Sequence, residues 1–146
     1  PAGPPPSLTE ALQALVSARD EAIARTTDEM IALAVDLARV LVDAELESRP
    51  ELHHTLVRAA LDVLGEGASP RIRVAPDAFD AMVASLGGRT FEWHGRRLEL
   101  EVDHSLTGPG AVLELGDGRV DAMLDSRLAS VRAALVRAQT SGREAA

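Results

Sequence analysis

Asp103-His104-Ser105 sets the three residue types of a hydrolytic triad side by side. In a working triad the serine hydroxyl reaches the imidazole and the imidazole reaches the carboxylate. Consecutive residues of an extended segment point to opposite sides, so this tripeptide cannot relay a proton along itself. No G-x-S-x-G turn is present to expose a serine nucleophile. The tripeptide reads as a loop turn, and a small hydrolase built on His104 is the least favoured function. His53 and His54 are consecutive on a helix, about 100° apart, and do not aim two nitrogens at one metal as an i, i+4 pair does. They read as surface or half-buried histidines.

The glycines of Gly108-Pro109-Gly110 and Gly116-Asp117-Gly118 do not lead from a strand into a helix, and the chain has no lysine, so a Walker-type nucleotide site is excluded. The 23 carboxylates are spread along the chain, which leaves no privileged acid/base pair. With no cysteine, disulfides, thiolate metal sites and cysteine nucleophiles are all excluded. These absences predict no catalytic residues, no cofactor, no metal and no small-molecule substrate. Trp93 stands apart. Next to Phe91 and Arg96-Arg97 near a hairpin tip, it is either a plug of the core or an exposed anchor for a partner. Phe91 and Leu106 join it as candidate partner contacts.

The net charge of −8 argues against a phosphate backbone as partner, because nucleic-acid affinity needs a concentrated basic face. No apolar run approaches the roughly 20 residues of a membrane helix, and the proline-rich start lacks the pattern of a signal peptide. A cytoplasmic protein is expected. At 146 residues, 46% of them hydrophobic, the chain can bury a core; with Phe79, Phe91 and Trp93 as its only aromatics, that core must be aliphatic.

Pro1–Ser7 (PAGPPPS) predicts a disordered start. From residue 8 to 47 neither glycine nor proline interrupts a run rich in Ala, Leu, Arg and Glu, which predicts one helix about 60 Å long. Ser7 and Glu10 form a capping box at its start. Leu12, Val16, Ile23, Met30 and Leu37 make an apolar seam, and Ala14, Ala18 and Ala22 recur at intervals of four. Stepping through Leu12, Val16, Ile23, Met30, Ala34, Leu37 and Leu41, the intervals are read as closer to an 11- than to a 7-residue period, which suits a straight or slightly right-handed helix pair. Such a helix either folds back on its own domain or projects as a dimerisation arm, and the projecting arm is favoured because a domain of about 100 residues has a radius of gyration of only about 13 Å. The remainder, 48–146, predicts an α+β domain. Ser48-Arg49-Pro50-Glu51 offers a second capping box; Arg71–Val74 alternates as a strand; Pro76-Asp77 opens a short helix. Thr90–Trp93 with Arg97–Val102, and Ala111–Leu115 with Val120–Leu124, read as two hairpins. Asp125 reads as the N-cap of a terminal amphipathic helix through Leu128, Val131 and Leu135. The expected architecture is a small, mostly antiparallel sheet with helices on one face.

Several stretches together resemble a known family. They are Arg49-Pro50-Glu51-Leu52, Arg71-Ile72-Arg73-Val74 followed by Pro76-Asp77, Asp103-x-Ser105-Leu106, Gly108-Pro109-Gly110, and Val120-Asp121-Ala122-x-Leu124 running into Arg127-Leu128. In that order they resemble the C-terminal domain of the FliH/YscL/HrpE family, the stators of flagellar and type III secretion ATPases, similar in turn to the E subunit of V-type ATPases. His104 stands where the family usually has proline, and Ala111 where a second glycine is common. The resemblance implies a non-catalytic peripheral-stalk protein that forms a homodimer through the long helix and holds the N-terminal region of an export ATPase with its C-terminal domain. The alternative it implies is a stalk subunit of a V/A-type rotary ATPase, paired with a different long-helix protein as a heterodimer.

Overall fold

The computed structural model describes residues 7–145, so the expectation of a disordered start falls, apart from Ser7, outside the described residues. Helix α1, Leu8–Ser48, runs for 41 residues without a break. Its start is held by the expected capping box: Glu10 N–H donates to Ser7 Oγ at 3.1 Å, and Ser7 N–H donates to Glu10 Oε2 at 3.3 Å. The second capping box does not form. Arg49 makes no side-chain cap, and Pro50–Leu52 instead winds into a 3₁₀ turn ahead of α2, His53–Leu64. Proline there sets φ for a tight turn, and the chain uses it to change direction rather than to open the next helix directly.

Strand β1 (Arg71–Val74), helix α3 (Pro76–Leu86), strands β2 (Thr90–Trp93), β3 (Arg96–Val102), β4 (Gly110–Leu115) and β5 (Gly118–Met123), and helix α4 (Leu124–Ala145) follow. The sheet order is β2-β3-β1-β4-β5, and every neighbouring pair is antiparallel except β1 and β3. That parallel pair arises because α3 and then β2 carry the chain back before β3 lies down beside β1. The α+β class and the mostly antiparallel sheet read from the sequence are what the fold shows. Helix α4 begins two residues earlier than an N-cap at Asp125 would set, so Asp125 sits inside its first turn, where it pairs with Arg39 of α1, and is not the N-cap.

Alternation along the strands separates two faces. Ile72, Val74, Leu98, Leu100 and Leu113 point to the covered side, where Val57 and Leu61 of α2 and Met82 of α3 close over them. The opposite face is a checkerboard of charge: Arg71 meets Glu101 at 2.9 Å, Arg73 meets Glu114 at 3.2 Å, and Arg89 meets Glu99 at 3.2 Å. Such exposed and half-exposed pairs stabilise by about 1 kcal/mol or less each, so the covered face holds the sheet together. The chain divides into two compact units, Ala38–Val131, which contains the sheet, and Pro1–Leu37 with Arg132–Ala146.

Candidate functional site

Beyond the ends of β1 and β3, the stretches singled out in the sequence converge. Asp103 N–H donates to Val74 O at 2.9 Å, which joins the two parallel strands at their ends. The Asp103 carboxylate then accepts both the Ser105 N–H at 2.9 Å and the Ser105 hydroxyl at 2.6 Å. These bonds, with Arg73 at 3.5 Å, hold the Asp103 carboxyl below its usual range. The serine hydroxyl is spent on the aspartate directly and His104 is exposed, so no relay runs from carboxylate through imidazole to hydroxyl. This is an Asx turn that shapes a loop.

Pro76-Asp77 and Gly108-Pro109-Gly110 belong to one joint. The Asp77 carboxylate, in the first turn of α3, accepts the Gly108 N–H at 3.2 Å, and Leu124 N–H donates to Pro109 O at 2.9 Å. The loop is thereby tied to α3 on one side and to the β5–α4 junction on the other. Beside it lies a cavity of about 290 Å³ whose walls include Asp43, Leu46, Glu47, Pro50, His53 and Asp77. His53 is 9% exposed, and its Nδ1 has no hydrogen-bond partner among the described residues. Sequence reasoning placed His53 at a surface or half-buried position and missed this cavity, since nothing in a His-His pair indicates which ring a distant loop will cover.

Burial pushes the His53 imidazole below its ordinary value of 6.5, so the fold favours the neutral ring. A depressed histidine leaves stability intact above about pH 6.5 and removes it progressively as pH falls below that value, because the unfolded chain takes up the proton first. Urea midpoints should therefore drop between about pH 7.5 and about pH 5.5, and His53→Gln should flatten that slope. An unchanged slope in the variant would reject His53 as its source.

Of the candidate partner contacts, Phe91 lies in the core, Trp93 is half-buried against it, and Leu106 is half-buried in the loop after β3. Trp93 packs edge-on to His94, ring centroids 4.5 Å apart, at a hairpin tip where His94 takes a positive φ of 47°. The Trp93 side chain thus serves the core with its body and reaches the tip with its edge.

On α1 the seam residues are exposed: Leu12 54%, Val16 47%, Ile23 52%, Met30 65% and Leu37 57%. Leu33 and Leu41 are exposed too, and at 100° per residue all seven fall within a sector of about 100°. Ala24, Thr27, Ile31 and Val35 are half-buried and form a separate row, about 100° round the helix. The model of a protein family described as "Flagellar assembly protein FliH" matches residues 6–131. The chain belongs to the FliH family.

The match takes in α1 as well as the sheet, and so extends the resemblance toward the N-terminus from the stretches after Ser48 that carried it in the sequence. FliH-family membership makes this a flagellar assembly protein. Comparisons with curated proteins and with solved structures returned no match. Among the described residues, no helix is long and apolar enough to cross a membrane, and no group of three or more His, Asp or Glu side chains could hold a metal ion.

Proposed function

We propose that this FliH-family protein is a non-catalytic stator of the flagellar export apparatus. It works on the cytoplasmic side, dimerises along α1, and uses its α+β domain, 48–146, to hold and regulate the N-terminal region of the export ATPase. The family match over residues 6–131 is the observation that carries the reading. The exposed apolar sector of α1 supports dimerisation, since large side chains left in water along one face of a long helix gain by facing a second helix. The joined loops and aliphatic core of the sheet unit support a gripping role, because they fix a surface without building a reactive centre.

Co-purification with the cognate export ATPase tests this reading. The expected result is a stable complex whose mass corresponds to two copies of this chain per ATPase subunit. Absence of any association between the purified full-length proteins would end the proposal. A complex containing one copy of this chain and a different long-helix protein would favour the heterodimeric stalk of a rotary ATPase.

A further inference from the structure

Helix α4 runs beside α1 in the opposite direction. Asp125, in the first turn of α4, pairs with Arg39 near the end of α1, while Arg143, near the end of α4, lines a cavity of about 390 Å³ with Asp20 and Ile23, nearer the start of α1. Asp125, Arg132, Val136 and Arg143 share one face of α4, and Val136 is half-buried, so that face is turned to α1. About 100° round from it stand Leu128, Val131, Leu135 and Ala138, of which Val131 is 50% and Leu135 43% exposed. On α1 the exposed sector likewise lies about 100° from the half-buried row of Ala24, Thr27, Ile31 and Val35, and each displacement has the same sense when its helix is viewed from its own N-terminus. In an antiparallel pair, two stripes displaced from the contact in the same sense emerge on the same side. Leu135 therefore continues the apolar sector of α1 across α4.

We propose that a second copy of this chain covers this face with both of its helices, so that the α1 of each copy sits in the groove between α1 and α4 of the other. The inference rests on the dimer along α1 proposed above and adds α4 to its interface. Width argues for two neighbours. A single partner helix needs only a narrow seam, whereas a stripe of about 100° is what a helix carries when it faces a core of several helices. Charge argues for which helices those are. α1 holds nine carboxylates against three arginines, and α4 four arginines against two carboxylates. Arg127 and Arg132 flank the α4 stripe, and Glu29 and Asp36 flank the α1 sector on the side away from its own α4. None of these four forms an ion pair among the described residues. A two-fold axis along the helices keeps the α1 helices parallel and sets the free acidic flank of one beside the α4 of the other copy. An axis across them would set α4 beside α4 and acid beside acid, which like charge opposes.

Sedimentation velocity of the full-length chain over a range of concentrations reads the dimer dissociation constant. Leu135→Glu and Ala138→Glu, both at exposed positions, put a carboxylate into the α4 stripe and should each raise that constant by about tenfold or more. Ala133→Glu adds the same charge on the opposite side of α4 and should leave it as it was. Circular dichroism confirms the helix content of each variant; should Leu135→Glu lose helix, Ala138→Glu decides. If wild type is a dimer and both stripe variants dimerise as tightly, α4 lies outside the interface, and dimerisation along α1 stands without it. If wild type stays monomeric at every concentration, the dimer reading falls and takes the part of α4 with it.

Discussion

Gly110→Ala is expected to cost about 3 kcal/mol or more of folding free energy, a large fraction of what a domain this size has to lose. A Cβ built on Gly110 would lie 2.5 Å from Ala122 O, 2.6 Å from Met123 Cα and 2.9 Å from Leu124 N. All three are backbone atoms, so no side chain can swing aside to make room. Nor can the backbone retreat, because Gly110 is paired with Met123 in the sheet and Leu124 N–H is bonded to Pro109 O one residue away. The φ of +107° adds strain for any residue with a Cβ. Gly87 provides the internal comparison. Its φ of +83° and ψ of 9° lie in the left-handed helical region, and nothing lies within 4 Å of an added Cβ, so Gly87→Ala should show the conformational cost alone, about 1 kcal/mol. Urea unfolding of both variants gives the difference. Equal losses at the two positions would show that the contact with the β5–α4 junction is not what position 110 depends on.

Met30→Glu/Leu37→Glu should convert the proposed dimer into a monomer. Both side chains are more than half exposed, so the single chain has little to lose by the change, and glutamate is a good helix former. In a helix pair packed on this face, the same substitutions would remove apolar contacts and place carboxylates opposite apolar neighbours. The cost is about 4 kcal/mol or more, roughly a thousandfold in dissociation constant. Light scattering with parallel circular dichroism reads the outcome: halved mass with unchanged helix content is expected. A variant that remains as dimeric as wild type would move the interface off this sector. Glutamates at Ile31 and Val35, on the half-buried row, are a different experiment, since they disturb whatever already covers that row within the chain.

Most elements were legible before the fold was known, and the reasons are local. An unbroken run of good helix formers specifies α1, and its Ser7 and Glu10 specify the start. Alternation specifies β1 and β3, where Ile72, Val74, Leu98 and Leu100 are buried, while Val102 at the end of β3 is exposed. Errors came where two local signals compete. Ser48-Arg49-Pro50-Glu51 has the residues of a capping box, but proline also suits a tight turn, and a 3₁₀ turn over Pro50–Leu52 is what forms ahead of α2. Asp125 has the right type for an N-cap, yet α4 starts directly from β5 and the carboxylate is turned to Arg39, which is 86 residues away in the chain. The candidate site was less legible than the fold. Asp103, Ser105, Asp77 and Gly108-Pro109-Gly110 stood out one stretch at a time, with nothing in their spacing to show that a carboxylate on α3 holds the N–H of a glycine 31 residues later.

Sequence alone determined the long helix, the aliphatic composition of the core, the strands and turns, and the lack of any cysteine or lysine chemistry. Each of these depends on residue type and on intervals of a few positions, which the chain carries within itself. Only the tertiary structure decided that β3 runs parallel to β1, that the loop motifs lock into one joint, and that His53 is enclosed. Those outcomes depend on which distant segments share space. Packing settles that through the combined burial of several elements, and no one of them carries the information by itself.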